Sequence, residues 1–316
     1  MPMNKSQKNL AIEERNLSWE DNNEIPNWVN KNKVGLDQFY TRNDIAKKYF
    51  DSLLEYLKKD GVKLDNCLFI EPSAGDGSFF DLLPDDRRIG LDIMPMKKGI
   101  KKKDFLSWKP KKTTKKLVFV GNPPFGYRAW LALVFMNHAA KFADYVGFIL
   151  PMAFQSDGKG SPKNRVIGLK LVHTEFLPKD SFYNPEDRSI KINALWQIWK
   201  KGINVIPNKQ KCDNWLEIFT VDLRKERLCG VSKMDSADFF IQRTYYNEQP
   251  NLVKSFTKVK YVCGYGLIIK KDKKKIIELL NSTDWNDYSN LAAHNCRHIS
   301  MYHINRVLTD NNFIND

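Results

Sequence analysis

Residues 67–79 read CLFIEPSAGDGSF, and this stretch decides the fold. The first four residues, Cys67–Ile70, form a short apolar run that predicts a buried strand. Glycines follow at positions 75 and 77, where the backbone can turn tightly and approach a ligand closely. We expect this loop to open a helix, because a strand, a glycine loop and a helix in this order are typical of α/β sheets. Such sheets bind ligands at the carboxyl ends of their strands.

The residues before this stretch predict a helix. Apolar side chains from Ile45 to Leu57 recur at helical spacing and form one continuous face. Thr41 or Asn43 can cap the start of the helix, and Gly61 stands where it should end.

The residues after the stretch continue the alternation of buried runs and helical patterns. Apolar runs predict three further strands, Arg88–Ile93, Leu117–Val120 and Tyr145–Leu150. The segment between the last two, Trp130–Lys141, predicts a helix. Two later runs, 170–177 and 191–199, predict a hairpin that closes the sheet. The predicted fold class is therefore α/β, with a doubly wound, mostly parallel, Rossmann-like sheet.

The pattern changes near residue 203, which predicts a domain boundary. Residues 1–32 are polar with little periodicity and predict a flexible arm, and residues 33–203 form the α/β domain. Residues 204–316 predict a smaller C-terminal α+β domain. Its predicted strands and helices are Trp215–Asp222, Ala237–Tyr246, Lys258–Ile269, Lys273–Leu280 and Tyr302–Leu308.

The composition indicates a globular protein with an anionic partner. The chain has 316 residues, 42% of them hydrophobic, and a formal net charge of +14. Such a charge suits a polyanion, although a soluble protein from a lysine-rich proteome would also show it. Ten lysines fall within 97–116, which favours a solvated loop, with a patch that tracks phosphates as the alternative. Five scattered cysteines, a polar N-terminus and the lack of a long apolar run predict a cytoplasmic protein without a membrane span.

Two carboxylates follow the glycine loop at informative positions. Asp92 ends the second predicted strand, where a carboxylate can accept hydrogen bonds from ribose hydroxyls. Asp104 precedes Phe105, so an acceptor for an adenine amine would stand beside an aromatic ring. Taken alone, a carboxylate at either position is more often an ordinary surface residue.

The segment Gly121–Gly126 reads GNPPFG and is the most specific motif of the chain. Two consecutive prolines fix two φ angles and remove two N–H donors, so the carbonyls of the turn can face a cleft. Asn122 offers an amide oxygen, Pro123 a backbone carbonyl and Phe125 an aromatic platform. A rigid turn without function does not explain why an Asn and a Phe flank the prolines at the end of a strand.

These motifs resemble those of S-adenosylmethionine-dependent methyltransferases that act on the N6 amine of adenine. That family shares an Asn/Asp-Pro-Pro-aromatic motif, and its gamma-type DNA enzymes from restriction–modification systems have the motif order seen here. The resemblance covers roughly residues 35–200 and implies the class I methyltransferase fold. It also implies that residues 33–203 are the catalytic domain and 204–316 a target-recognition domain.

The resemblance implies a set of site residues. The catalytic residues would be Asn122, Pro123, Pro124 and Phe125. The residues that bind S-adenosylmethionine would be Phe39, Tyr40, Thr41, Glu71, Pro72, Ser73, Ala74, Gly75, Asp76, Gly77, Asp92, Ile93, Asp104, Phe105 and Asn122. No metal is expected.

The resemblance also implies a mechanism and partners. An adenine flipped out of duplex DNA would stack on Phe125, helped by Tyr127, while Asn122 and the Pro123 carbonyl accept hydrogen bonds from its amine. A cognate restriction endonuclease would be a further partner, and the host would be bacterial or a phage. The alternatives are methylation of adenine in RNA, methylation of a protein glutamine, and a nucleic-acid-binding module without catalysis.

A second motif, near the C-terminus, contains histidines and a cysteine. His294, Cys296 and His298 alternate along the chain, and His303 follows. Zinc sites usually have a different ligand spacing, so we favour structural roles for these residues. His138, within a predicted helix, is also expected to be structural.

Overall fold

The computed structural model describes residues 39–126, 129–156, 161–184, 189–206, 210–293 and 295–315. The chain divides into two compact units, and the change from the first to the second falls between Val205 and Ile206. The predicted N-terminal arm, residues 1–32, lies outside the described residues. Each unit has its own sheets and its own hydrophobic core.

The first unit contains ten strands and two α-helices within the described residues. In chain order these are β1 Tyr40–Thr41, α1 Asn43–Lys59, β2 Cys67–Glu71, β3 Arg88–Asp92, β4 Lys101–Lys102, β5 Lys116–Gly121, α2 Trp130–Ala140, β6 Tyr145–Pro151, β7 Leu169–Phe176, β8 Phe182–Tyr183, β9 Ser189–Ile190 and β10 Ala194–Lys201. Every strand predicted for this unit is present, with ends that differ by at most three residues.

Seven of these strands form the central sheet in the order β4-β3-β2-β5-β6-β10-β7. Strands β4, β3, β2, β5 and β6 are parallel. Strand β10 runs antiparallel between β6 and β7, which is the predicted closing hairpin. The chain order reverses between β2 and β5, so the switch point of the sheet lies at the carboxyl ends of these two strands. The predicted Rossmann-like fold class is confirmed.

Apolar side chains pack against both faces of the sheet, so its parallel strands are buried on both sides. On one face, the helix α1 side chains Tyr49, Phe50 and Leu53 join a core with Phe69 and Trp196. On the other face, Phe119 of β5 lies 5.9 Å from Phe105, and Phe105 lies 5.2 Å from Phe135 of α2. Helix α1 and helix α2 thus account for the doubly wound pattern.

The start of helix α1 differs from the prediction. Arg42, rather than Thr41 or Asn43, occupies the N-cap position, and its side chain makes no capping hydrogen bond. Thr41 is instead in strand β1 and pairs with Phe182 of β8, so it is not available as a cap. The predicted end of the helix is confirmed, because Gly61 has a φ of +78° directly after it.

The glycine loop does not open an α-helix, so that prediction was wrong. Only two 3-10 turns, Phe80–Leu82 and Asp85–Arg87, lie between the loop and β3. A proline disfavours helical angles at the residue before it, which here is Leu83 before Pro84. A helix starting after Gly77 would therefore have only a few residues. Phe79, Phe80 and Leu83 bury their side chains from this short connection and supply the packing that a helix face would give.

The second unit consists of antiparallel sheets and short helices. Its described elements are β11 Leu216–Asp222, β12 Phe239–Gln242, β13 Thr244–Tyr245, β14 Cys263–Ile269, α3 Lys273–Ser282, α4 Trp285–Tyr288, β15 Asn290–Leu291, β16 Arg297–His298 and α5 Met301–Asp310. The strands form two three-stranded sheets, β11-β14-β12 and β13-β16-β15. The predicted smaller α+β domain is present, and the apolar faces of α3 and α5 share one core. No helix in the described ranges is long and apolar enough to span a bilayer.

Candidate active site

The carboxyl ends of β2, β3 and β5 surround a cavity of about 320 Å³. This volume lies in the range of roughly 300–1,000 Å³ that is usual for small-molecule sites. The wall contains residues from the loops after these strands, from β1 and from α2. These residues are Phe39, Tyr40, Pro72, Ser73, Gly75, Asp92, Ile93, Met94, Lys103, Asp104, Phe105, Leu106, Asn122, Pro123, Pro124, Phe125, Leu131 and Phe135.

The glycine loop approaches the cavity through backbone that only glycine adopts readily. Gly75 has a φ of +46° and Gly77 a φ of +93°. A methyl group at Gly75 would stand 3.2 Å from Cε1 of Tyr40, which is tighter than an ordinary contact. The Ala74 N–H donates to the Leu91 carbonyl at 2.9 Å and thereby fixes the loop to β3. The absence of a side chain at Gly75 therefore leaves room for the Tyr40 ring at the cavity wall.

Asp92 holds two loops in place at the end of β3. Its Oδ2 accepts a hydrogen bond from the Gly75 N–H at 2.7 Å, and its Oδ1 accepts one from the Met94 N–H at 2.7 Å. An ionised carboxylate has about four acceptor positions, so each oxygen keeps one for a ligand hydroxyl. Asp92 lines the cavity and is therefore positioned to accept from a bound polar group.

Asn122 is the most distinctive side chain of the site. Its Nδ2 donates to the Phe39 carbonyl at 3.1 Å, and this bond sets which end of the amide faces away from β1. Its Oδ1 is buried and has no hydrogen-bond partner among the described residues. Buried polar atoms are almost always paired, so an orphan acceptor in a cavity wall indicates a missing donor.

The backbone of the proline turn is fixed from the opposite side. The Ser73 hydroxyl donates to the Asn122 carbonyl at 3.0 Å and so connects the glycine loop to the turn. Among the described residues none donates a hydrogen bond to the Pro123 carbonyl. The turn therefore has two acceptors without donors, the Asn122 amide oxygen and the Pro123 carbonyl.

Phe125 forms an aromatic part of the wall. Its ring is half-buried and makes a T-shaped contact with Phe182, at 6.4 Å between centroids and an angle of 88°. Phe182 is fully buried in β8 and therefore restricts how the Phe125 ring can turn. Tyr127, expected to assist Phe125, lies outside the described residues.

Asp104 and Phe105 lie on the opposite part of the wall, after β4. The Asp104 Oδ1 caps a 3-10 turn by accepting from the Leu106 N–H at 2.9 Å, which leaves Oδ2 exposed. Phe105 is almost completely buried and makes an edge contact with His138 at 4.7 Å. His138 also bonds the Trp108 carbonyl through Nε2, and burial lowers the pKa of this imidazole. His138 thus has the structural position that was expected.

Five of the residues expected to bind the cofactor do not line the cavity. They are Thr41, Glu71, Ala74, Asp76 and Gly77. Asp76 accepts hydrogen bonds from the Ser78 hydroxyl at 2.8 Å and from the Tyr183 hydroxyl. Contact between these five residues and a ligand stays a prediction. The hydrogen bonds of Asp76 connect the glycine loop to Tyr183 of β8.

Glu71 has an unusual environment for a carboxyl group. It is 2% exposed, its Oε2 has no hydrogen-bond partner among the described residues, and Gly121 packs on it so tightly that a Cβ there would lie 3.0 Å from its Cγ. Burial, followed by the charges of Asp76 and Asp92, raises the pKa of Glu71 well above its usual value. The group is held directly beneath the end of β5, where the proline turn begins.

The cavity also contains residues that the sequence analysis missed. Met94, Lys103 and Leu106 adjoin the predicted residues Asp92, Ile93, Asp104 and Phe105, so a window of one or two residues would have included them. Leu131 and Phe135 are four residues apart on α2 and therefore share a helix face, which spacing alone could have indicated. The predicted helix from residue 130 contained this signal.

The second-unit motif around His298 has a different environment. The His298 Nδ1 lies 3.0 Å from the Thr244 hydroxyl, and its Nε2 lies 3.6 Å from the Cys296 sulfur. His303 completes a capping box with Ser300 at the start of α5. His294 lies outside the described residues, and within the described ranges no cluster of three or more His, Cys, Asp or Glu could hold a metal ion.

Comparisons with known proteins give only distant likenesses. Neither a protein-family model nor a curated protein sequence matches this chain. Among solved structures, a proposed RNA methyltransferase from Pyrococcus horikoshii aligns at 16% identity and a TM-score of 0.39, over 53% of this chain and 89% of that chain. Magnesium protoporphyrin IX methyltransferase from Synechocystis, with bound SAM, aligns at 14% identity and a TM-score of 0.34, over 64% and 100%.

A Thermoplasma acidophilum protein aligns at 16% identity and a TM-score of 0.33, over 53% of this chain and 98% of that chain. With these low scores and identities, the three likenesses bear on neither the substrate nor the activity of this chain. The geometry of the cavity has to carry the functional assignment.

Proposed function

We propose that this protein transfers a methyl group from S-adenosylmethionine to the N6 amine of an adenine in DNA. The observation that carries the proposal is the buried Asn122 Oδ1, an acceptor without a donor in the wall of a cavity. An exocyclic amine offers two N–H donors, and the Asn122 amide oxygen and the Pro123 carbonyl are two acceptors on consecutive residues. Phe125, three residues after Asn122, offers the ring on which a purine would stack.

The residues of the cavity fit the adenosine part of the proposed cofactor. Asp92 has acceptor capacity for the ribose hydroxyls, and the exposed Oδ2 of Asp104 can accept from an adenine amine. Ile93 and Phe105 provide apolar surface in the same wall. The positive φ of Gly75 brings backbone rather than a side chain to the ligand. When bound, S-adenosylmethionine supplies a methyl group that is activated by a positively charged sulfur, and a nucleophilic nitrogen can attack the methyl carbon.

The chain's own residues would prepare the amine for that attack. The lone pair of an adenine amine is delocalised into the ring, so the amine is planar and a poor nucleophile. Hydrogen bonds from both N–H groups to Asn122 Oδ1 and the Pro123 carbonyl favour a pyramidal nitrogen with a localised lone pair. The same two oxygens stabilise the positive charge that develops on the nitrogen. The methylated nitrogen would carry a positive charge that makes it acidic, so its proton would pass to water while the methyl donor leaves as a neutral thioether. Catalysis would thus depend on positioning and electrostatics, without a strong general base.

The partner is proposed from charge and organisation. A net charge of +14 suits nucleic acid, and an adenine must leave the base stack to reach the acceptors in the cavity wall. The second unit, a separate compact body from residue 206 onward, is proposed to select the target sequence. The alternative substrate, a glutamine side chain of a protein, offers the same two N–H donors. It lacks the aromatic face on which Phe125 would stack, so adenine is the favoured substrate.

The experiment that tests the proposal measures transfer of labelled methyl groups. The full-length protein is incubated with labelled S-adenosylmethionine and, separately, with duplex DNA, total RNA and a protein extract. The Asn122→Ala variant removes the orphan acceptor. Asn66→Ala is the matched control, because Asn66 is an exposed residue of the same unit that does not line the cavity.

Label recovered as N6-methyladenine in DNA, from the native protein and Asn66→Ala but not from Asn122→Ala, is the expected result. Label only in RNA or only in protein would overturn the substrate and keep the catalytic site. Cofactor binding without transfer to any of the three substrates would overturn the assignment as an enzyme and favour a binding module.

A further inference from the structure

The segment 97–116 carries an exceptional charge for its length. It contains ten lysines and a single carboxylate, Asp104, and therefore supplies nine of the chain's fourteen net positive charges. Two of the lysines are neutralised, Lys97 by Asp81 and Lys116 by Asp144. Lys103 lines the cavity and Lys115 is half-buried. The other six are exposed and have no ion pair among the described residues: Lys98, Lys101, Lys102, Lys109, Lys111 and Lys112. We call these six the lysine edge.

Two lysines of the edge form one border of the central sheet, and the chain continues from them into the cavity wall. Lys109, Lys111 and Lys112 lie further along, on the segment that returns to the start of β5. Lys101 and Lys102 are the whole of β4, the outermost strand of the sheet beside β3. The next residue, Lys103, donates its backbone N–H to the Asp92 carbonyl at 2.8 Å and lines the cavity. The charged border is therefore continuous along the chain with the wall of the proposed active site.

The backbone that presents these lysines is anchored. Phe105 is buried between β5 and α2, and the Trp108 carbonyl is bound by His138 at 2.8 Å. Lys109 follows Trp108 directly. The lysines on both sides of this anchor thus project from a fixed part of the first unit, which is what a docking surface for a long polyanion requires.

Protection of an exposed sheet border explains only part of the pattern. Lysines on an outer strand discourage pairing with another chain, and Lys101 and Lys102 fit that role. Lys98, Lys109, Lys111 and Lys112 are not on the strand and have no ion pair among the described residues, so protection of the border does not account for them. Such unneutralised charge is stabilised when phosphates bind and the counterions on nucleic acid are released.

We propose that the lysine edge binds the phosphate backbone of DNA that flanks the base in the cavity. This inference rests on the proposed function, because it takes the nucleic acid as the substrate of the adjoining site. The edge would contribute affinity independent of sequence, while the cavity selects the base. Lys103, which is in the cavity wall, is not counted in this surface.

The test is the salt dependence of DNA binding by the full-length protein. The edge variant replaces Lys101, Lys102, Lys109 and Lys111 with Gln. The matched control replaces Lys58, Lys59, Lys63 and Lys201 with Gln. It removes the same charge from exposed lysines without ion pairs among the described residues, close in sequence to the amino end of β2 and the carboxyl end of β10. Binding to a duplex is measured at several salt concentrations, together with S-adenosylmethionine binding and the thermal unfolding midpoint.

We expect the slope of log K against log salt to become less negative by up to about 3.6 in the edge variant, since each of the four lost phosphate contacts removes about 0.9. The control should change the slope by less than about 1. Cofactor affinity and the unfolding midpoint should match the native protein in both variants. Equal slopes in the edge variant and the control would overturn the proposal.

The two proposals fail in different ways. Loss of the adenine assignment would appear as absent methyl transfer while the salt slopes still separate the variants. Loss of the lysine edge would appear as equal salt slopes while methyl transfer at saturating DNA persists.

Discussion

The proline turn of the first unit, Asn122–Phe125, and strand β16 of the second unit, which contains His298, both have side chains that could bind a ligand. They differ in whether the hydrogen bonds of those side chains are complete. Asn122 has a buried amide oxygen without a partner beside a cavity. His298 has partners for both ring nitrogens, Thr244 at 3.0 Å and Cys296 at 3.6 Å. Chemically capable residues indicate a ligand when their hydrogen bonds are incomplete at a cavity, and they indicate a structural role when their bonds are complete.

The largest expected effect separates these two regions directly. Asn122→Ala should lower the rate constant of methyl transfer by about 100- to 1,000-fold, as loss of one preorganised electrostatic contact does in other sites. His298→Ala should leave that rate constant within about threefold, because the imidazole makes only structural contacts. The measurement is single-turnover transfer of labelled methyl to DNA. A His298→Ala variant that is folded but inactive would refute the comparison.

The next effect concerns the carboxylate that joins two loops at the cavity. Asp92→Ala removes the acceptor for the Gly75 and Met94 N–H groups and the acceptor proposed for ribose hydroxyls. We expect S-adenosylmethionine to bind about 10- to 100-fold more weakly, the cost of one or two charge-assisted hydrogen bonds. Calorimetry measures the dissociation constant. Asp81→Ala, which removes only the partner of Lys97, is the control and should bind with native affinity.

A smaller effect is expected at the aromatic wall. Phe125→Ala removes the stacking platform and should raise the KM for DNA by about tenfold, since stacking on one base contributes roughly 1–3 kcal/mol. Phe125→Trp should restore most of kcat/KM because it keeps a ring at the same place. Steady-state kinetics on duplex DNA provide the measurement, and a Trp variant as impaired as the Ala variant would argue against stacking.

The smallest effect is a change in stability with pH. The pKa of Glu71 is raised by burial in the folded state, so folding favours the protonated carboxyl. The stability that this protonated group supports is fully present below the unfolded pKa of about 4.3 and is lost as the pH rises through the folded pKa. Glu71→Gln cannot ionise, so its free energy of unfolding should exceed that of the native protein by a margin that grows with pH. Urea unfolding at pH 4 and pH 7 measures it, and a margin independent of pH would contradict the assignment.

The sequence analysis predicted most elements of the first unit because their signals are local. A buried parallel strand is a short apolar run, and β2, β3, β5 and β6 all appear where such runs were seen. The helix after the glycine loop failed because the general association of such loops with helices ignored a local stop, Pro84. The predicted cap of α1 was wrong at Thr41 because this residue pairs with Phe182 of strand β8, a partner distant in sequence that no local pattern reveals.

The sequence by itself determined the α/β class, the strands and the residue types available at their carboxyl ends. These follow from the spacing of apolar residues and from the restricted angles of Gly and Pro, which are properties of neighbouring residues. Only the tertiary structure decided that Ser73, Phe39 and Asn122 meet, and that Asn122 Oδ1 is left without a donor while His298 is satisfied. Hydrogen-bond partners between residues 49 or 83 positions apart depend on how strands are ordered in the sheet, and a linear pattern does not contain that order.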